Sequence, residues 1–413
     1  LPALNAVDVP TIAGLGDGPG PRWLTEDAAA AVAAAEQRPF ADAEYERRLR
    51  GVRDRMAEAG VDALFVFRPS SIEYLCGYHT AETTPQPLLV TGSDTTLYVP
   101  DLELGRALAS SRVNQIVYCG YTDALRGLGA WLTHAVRGLR GGARVGLELR
   151  HASTPPVAVR LLRESGAEPV DTEHLVERQR LVLSDAELAC VERAAEHTRA
   201  GVDAAVTAAR EPGATDSSVA AAIACALYGA ADSASAWGPV VATGRRGGIP
   251  HSTWAGHPLA GTTFLEFAGT CHRYHAPVMR TLCRGRPGAR ERLLADLART
   301  ALAAVLDTAR AGVRCSEVAA TAERALGELP GDVVFHHLFG YPVGLAHKPH
   351  WMDGAPFHLA EGNDEPLRAG MVFHVPASFR VFGRSGVGLS QTFVVTEHGT
   401  RVLTHGAAEP IEL

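Results

Sequence analysis

Phe264-Leu265-Glu266-Phe267-Ala268-Gly269, followed closely by Arg273-Tyr274-His275-Ala276-Pro277-Val278-Met279-Arg280-Thr281, reads as a β-hairpin. The outgoing strand carries a single carboxylate, and the return strand carries a His and an Arg. A carboxylate set between Leu265 and Phe267 must find a partner, because an isolated buried charge costs on the order of several kcal/mol. Two readings follow for Glu266: a structural ion pair with Arg280, or a nucleophile or general base whose acidity burial tunes. His275 and Arg280 lie five positions apart, so a regular strand points them to opposite faces. A bulge at Pro277 would change that.

Working outward, Leu175 to Ser184 reads as a bridge between two domains. Ser184-Asp185-Ala186-Glu187 has the spacing of a capping box and opens a long helix to about Ala209. Further helices are expected over 216–229, from about Ala289, and from Cys315 to Leu326. Strands are expected at 237–243, 262–269, 273–283, 371–379 and 387–396. Before the bridge the pattern alternates helix and strand, the mark of an α/β layer. A helix spans Glu44 to Ala59 and ends at Gly60. Strands follow at 61–67, 87–90, 96–99, 115–118 and 145–148, with helical stretches around 122–138 and 157–165. Residues 1–38 contain Gly14-Leu15-Gly16-Asp17-Gly18-Pro19-Gly20-Pro21 and read as an arm or a leader, with packing on a partner subunit as one use for it. The domains are therefore 1–38, 39–178 and 179–413.

The hairpin phrase resembles the pita-bread family of creatinase, prolidase and aminopeptidase P. Gly60-Val61-Asp62-Ala63-Leu64 and Tyr74-Leu75-Cys76-Gly77-Tyr78 are similar to that family's N-terminal domain. The resemblance runs from about 44 to 404. It implies an α+β protein, with a C-terminal pita-bread domain preceded by a creatinase-type α/β domain. In the family's peptidases the hairpin supplies two Asp metal ligands eleven positions apart; here those places hold Glu266 and Pro277. Where peptidases read Gly-His-Gly-x-Gly, this chain has Gly340-Tyr341-Pro342-Val343-Gly344. The phrase ending in Glu-Pro becomes Met371-Val372-Phe373-His374-Val375-Pro376. The last Glu place holds Gln391. One carboxylate in five places does not make a cage for two hard divalent ions, so no metal and no other cofactor is expected.

The wording Glu-Phe-Ala-Gly…Arg-Tyr-His-Ala-Pro…Arg-Thr, Gly-Tyr-x-x-Gly-Leu and Pro349-His350-Trp351 is similar to the metal-independent ectoine hydrolase and creatinase type. That resemblance implies His251 as the proton-transfer residue, a role suited to an imidazole near neutrality. It sets Glu266, His275 and His374 beside it, and Tyr341 as donor to a developing oxyanion. Arg280, His347 and Gln391 become substrate-binding candidates. His336, His337, His350 and His358 read as ordinary loop or core histidines. Gln391 and Met279 depart from the ectoine-type pattern and touch the substrate pocket.

The function expected is cleavage of a C–N bond in an amidine, guanidine or cyclic amide of a small polar substrate. A biosynthetic cyclase, lyase or isomerase on the same scaffold is the alternative, and a non-catalytic binding protein is a third. Composition agrees with an enzyme of small molecules. Net charge is −7, with no basic stripe to meet nucleic acid. No apolar run approaches the roughly 20 residues of a membrane span. Seven scattered Cys without a CxxC suit a reducing, cytoplasmic compartment. A homodimer is what the family resemblance implies.

Overall fold

The computed structural model describes residues 9–15, 21–35, 38–172, 174–353, 357–406 and 408–413. The chain separates into two compact units, Leu1–Arg180 and Leu181–Leu413.

One mixed sheet organises the first unit. Its strands are β1 (Thr11–Gly14), β2 (Ala63–Val66), β3 (Leu88–Thr91), β4 (Thr95–Pro100), β5 (Gln115–Cys119), β6 (Arg144–Leu147) and β7 (Glu168–Asp171). They lie in the order β1-β5-β4-β3-β2-β6-β7. Helices α1 (Glu26–Ala33), α2 (Asp42–Glu58), α3 (Pro69–Cys76), α4 (Leu104–Ser110), α5 (Ala124–Arg137), α6 (Pro156–Glu164) and α7 (Leu175–Arg180) connect them. Helix α2 buries Tyr45, Leu49, Val52 and Met56 at one-turn spacings, the stripe expected of an amphipathic helix. It stops where Gly60 takes a positive φ of 62°. The segment expected to be an arm behaves otherwise in its described part. Thr11–Gly14 adds a parallel edge strand to β5, with Thr11 opposite Gln115. The glycine-rich run at 16–20 lies outside the described residues.

In the second unit, helix α8 (Asp185–Arg210) starts with the expected capping box, Ser184 and Glu187 bonding each other's backbone N–H. Helices α9 (Asp216–Ala230), α10 (Ala289–Thr308) and α11 (Cys315–Leu326) complete the helical set among the described residues. Strands β8 (Val240–Thr243), β9 (Thr262–Cys271) and β10 (Tyr274–Cys283) form a sheet closed at one edge by β17 (Ile411–Glu412). A second sheet has the order β11 (Tyr341–Pro342), β12 (Val372–Val375), β15 (Gln391–Val395), β16 (Thr400–Val402). Strands β13 (Ser378–Val381) and β14 (Ser385–Gly388) make a separate hairpin. The single strand expected over 371–379 is thus two, broken at Pro376-Ala377. Proline cannot continue the ladder there.

The β9–β10 hairpin is regular, without a bulge at Pro277, and sets Glu266 opposite Met279 and Leu265 opposite Arg280. Its two faces have different work. Leu265, Phe267, Val278 and Leu282 pack into the core against α8 and α9. Phe264, Glu266 and Met279 point the other way. Helix α8 comes so close that a Cβ at Gly269 would meet the Ala194 carbonyl oxygen at 2.4 Å. Only glycine fits at that crossing. Among the described residues, no helix is long and apolar enough to cross a membrane.

Candidate active site

The face of the hairpin turned from α8 opens on a cavity of about 190 Å³. Glu266 and Met279 form its floor. Tyr341, His350, His336, Ser378 and Arg380 stand around it, with Pro250 and His251 also in the lining. Glu266 is 5 % exposed, and among the described residues no hydrogen bond or ion pair holds its carboxylate. Burial pushes it up to about 7, against a smaller downward pull from Arg380. The structure therefore answers the question of its partner: Arg280 is not it.

Arg280 sits on the opposite face, as strict alternation requires. Its guanidinium donates to the carbonyls of Met279 at 2.8 Å and Ser390 at 2.7 Å, and it braces the backbone. Arg380 is the charged neighbour of the cavity. Its guanidinium lies over the Phe264 ring, 4.6 Å from the centroid. Its Nε is buried and makes no hydrogen bond, and the same holds for the Ser378 hydroxyl. Burial lowers the Arg380 pKa and the Glu266 charge raises it. Two buried donors and a buried carboxylate, all unpartnered in one cavity, are a costly arrangement unless something enters it.

His251 stands on an exposed loop and takes the left-handed conformation, φ 60°. A non-glycine residue there carries roughly 1–2 kcal/mol of strain. The Trp237 ring lies edge-on at 5.2 Å. Partial burial, then the charges of Arg380 and His336, hold the His251 imidazole below its ordinary pKa. The usual order is thus inverted. Near neutral pH Glu266 retains much of its proton and His251 is neutral.

Tyr341 pairs across the strands with His374, and its Oη lies 2.7 Å from His374 Nδ1. Trp351 Nε1–H donates to the same oxygen at 3.0 Å. His374 Nε2 lies 2.7 Å from Ser390 Oγ, which also accepts from the Met279 N–H. Burial pushes His374 down to about 3, so the ring is neutral and has one proton to place. With that proton on Nδ1, Ser390 donates to Nε2 and every partner is used. With it on Nε2, the Ser390 hydroxyl proton has no acceptor. The first arrangement frees the Tyr341 O–H to donate into the cavity. Burial and the Glu266 charge push the phenol well above its usual pKa, so it stays protonated.

The structure brings His251, Glu266 and Tyr341 to one cavity and sets His374 directly behind Tyr341. It does not bring His275, Arg280, His347 or Gln391 there. His275 Nε2 accepts from the Ala236 N–H at 2.9 Å, and Nδ1 faces the Gly344 carbonyl at 3.4 Å. Burial takes it down to about 4. It is a buried brace. Gln391 donates to the Gly406 carbonyl at 3.1 Å and accepts from Thr404 at 2.8 Å. Its neighbour Ser390 is the residue on the side of His374. His347 is half-buried and outside the lining. Conversely, His336 and His350, read as ordinary histidines, line the cavity. His337 does not, and pairs instead with Glu323 at 2.9 Å. Arg380 had a signal in the sequence: one cation in the apolar run Phe379-Arg380-Val381, the same anomaly that marks Glu266.

A creatinase-type α/β unit followed by a pita-bread unit, with its cavity on the central hairpin, defines a class of enzyme fold. The Creatinase/Prolidase N-terminal domain model matches residues 48–182. The chain belongs to metallopeptidase family M24, whose model matches residues 189–397. It is 30% identical over 387 residues to the uncharacterized hydrolase/peptidase y4tL of Sinorhizobium fredii, covering 88% of this chain and 95% of that one. It is 26% identical over 389 residues to the ectoine hydrolase of Halomonas elongata, covering 88% and 96%. The crystal structure of dipeptidase PepE from Mycobacterium ulcerans superposes with a TM-score of 0.77 at 24% identity, over 90% of this chain and 99% of that one.

Members named as metallopeptidases raise the question of whether this cavity suits a metal. Its donor set does not. Pro277 and Pro376 have no side-chain donor, Gln391 is turned away, and the Tyr341 and Ser390 oxygens are spent on His374. Among the described residues, no three His, Cys, Asp or Glu of the cavity bring ligand atoms within 4.8 Å of one another. Glu266 is the cavity's one anionic oxygen donor among the described lining residues.

Proposed function

We propose that the chain is an enzyme that acts, without a metal centre, on a C–N bond of a small polar molecule: an amidine, guanidine or cyclic amide. The observation that carries this reading is the buried Glu266 carboxylate in a cavity of about 190 Å³, with Arg380, whose buried Nε makes no hydrogen bond, as its charged neighbour. Such a volume suits a compound of modest size. Arg380 and Ser378 take an anionic group of the substrate, and Glu266 meets its C–N end. A guanidinium fork and a hydroxyl match a carboxylate geometrically.

The inverted acidities assign the proton traffic. Neutral His251 takes a proton from the attacking water at the cavity mouth. Glu266, protonated in part near pH 7, gives one to the departing nitrogen. Tyr341 donates to charge that develops on oxygen, its own oxygen held by Trp351 and His374. General acid and base steps contribute roughly 10²–10⁴-fold each, and a preorganised donor adds a similar factor. The relative named an ectoine hydrolase supports a non-peptide substrate; dipeptidase PepE stands as near in similarity, so the preference rests on the donor set.

A mass-spectrometric screen of small zwitterionic amidines, guanidines and cyclic amides tests this. The expected product is heavier than the substrate by one water, or is two fragments that sum to that mass, with undiminished turnover in excess chelator. Turnover that required an added divalent ion, or cleavage confined to dipeptides, would refute it.

A further inference from the structure

At the far tip of the same hairpin, outside the cavity, three segments converge. Asp232 lies between α9 and β8, Cys271 ends β9, and His272 occupies the turn with φ 46°. One ligand atom from each lies within 4.8 Å of the other two. His272 Nδ1 is 2.6 Å from Asp232 Oδ2. Cys271 is buried and forms no disulfide. A free thiol therefore stands beside an imidazole–carboxylate pair.

We propose that Cys271, His272 and Asp232 form a binding site for one thiophilic divalent metal ion of the zinc class. One sulfur, one imidazole nitrogen and one carboxylate oxygen are three of the four donors that such an ion takes tetrahedrally, at about 2.0–2.3 Å, with water in the fourth place. Donors of one ion at those lengths lie at most roughly 4.6 Å apart, and the three mutually close atoms already meet that spacing within a small shift. The shift needed is an opening of the Asp232–His272 contact, and both side chains are partly exposed, with room to make it. On binding, the imidazole ligates through Nδ1 with its proton on Nε2, and the Cys271 thiol proton leaves to solvent. The ion would tie the 231–235 segment to the hairpin turn, at the end of β9 away from Glu266.

The test uses the full chain, reduced and stripped with chelator, titrated with Co²⁺ and then Zn²⁺. One equivalent of Co²⁺ per chain is expected, with a sulfur-to-cobalt charge-transfer absorption that Zn²⁺ bleaches. Cys271→Ser should weaken Zn²⁺ by more than the roughly 10–100-fold that outer-sphere changes cost. His272→Asn keeps the left-handed turn, so it tests the site even where Cys271→Ser fails to fold; it too should weaken binding. Glu266→Gln should leave uptake unchanged. No charge-transfer band, or uptake indifferent to both Cys271→Ser and His272→Asn, would overturn the site. Metal lost in Glu266→Gln but kept in His272→Asn would place it in the cavity and overturn both this site and the metal-free reading of catalysis.

Discussion

Replacing Glu266 with Gln should make the protein more stable and inactive, and the gain should depend on pH in a defined direction. Burial raises this carboxyl from 4.5 to about 7 in the folded protein. A carboxyl whose folded pKa lies above its unfolded value favours folding in its protonated form. That advantage is full below pH 4.5 and is lost as pH rises through 7. Linkage between those two values gives a wild-type penalty of about 1 kcal/mol at pH 5.0 and about 3.4 kcal/mol at pH 8.5. The amide of the Glu266→Gln variant cannot ionise and escapes it. Once buried, that amide adds an offset of about 1 kcal/mol that pH does not change. The stability difference between variant and wild type should therefore grow by about 2.5 kcal/mol from pH 5.0 to pH 8.5. At roughly 2–4 °C per kcal/mol for a unit of this size, the Tm gap widens by about 5–10 °C. Parallel thermal scans of both proteins in matched buffers measure it. The buried histidines are common to both and cancel. A gap that stays constant with pH would mean that Glu266 is already ionised and paired, and the proton assignments built on it would fall.

Four further outcomes follow from the same geometry. His251→Asn, which tolerates the left-handed backbone, should cut kcat by roughly 10²–10⁴-fold and leave Tm within about 1 °C. Arg380→Met should raise KM for an anionic substrate by about 10–100-fold, the worth of a charged hydrogen bond, and raise it little for a neutral analogue. His275→Leu should do the reverse: it strands the Ala236 N–H and costs about 1–3 kcal/mol of stability, while kcat in the surviving folded fraction changes by less than tenfold. Finally, stability should fall on the acid side, because burial holds His275 and His350 at about 4 and His374 at about 3. Each depressed imidazole contributes stability above its unfolded pKa of 6.5, lost as pH falls toward 4. Denaturant midpoints taken from pH 7 down to 4 should decline progressively, and His275→Leu should flatten part of that decline.

The hairpin, the long capped helix and the two-unit organisation were legible in the sequence because each is written in local periodicity. Alternation across 262–283 fixed which residues share a face, and a capping box fixed where α8 begins. The absence of a side-chain donor at 277 and 376 was legible as well, since proline has none wherever it is placed. Tertiary structure decided what the polar residues touch. His275 shares a face with Met279 and still misses the cavity, because its ring is claimed by backbone groups of Ala236 and Gly344. Arg380 reaches Glu266 from a strand far along the chain, and Ser390, not Gln391, meets His374. Periodicity assigns a side to each residue, but the partner on that side is set by which distant segment packs there.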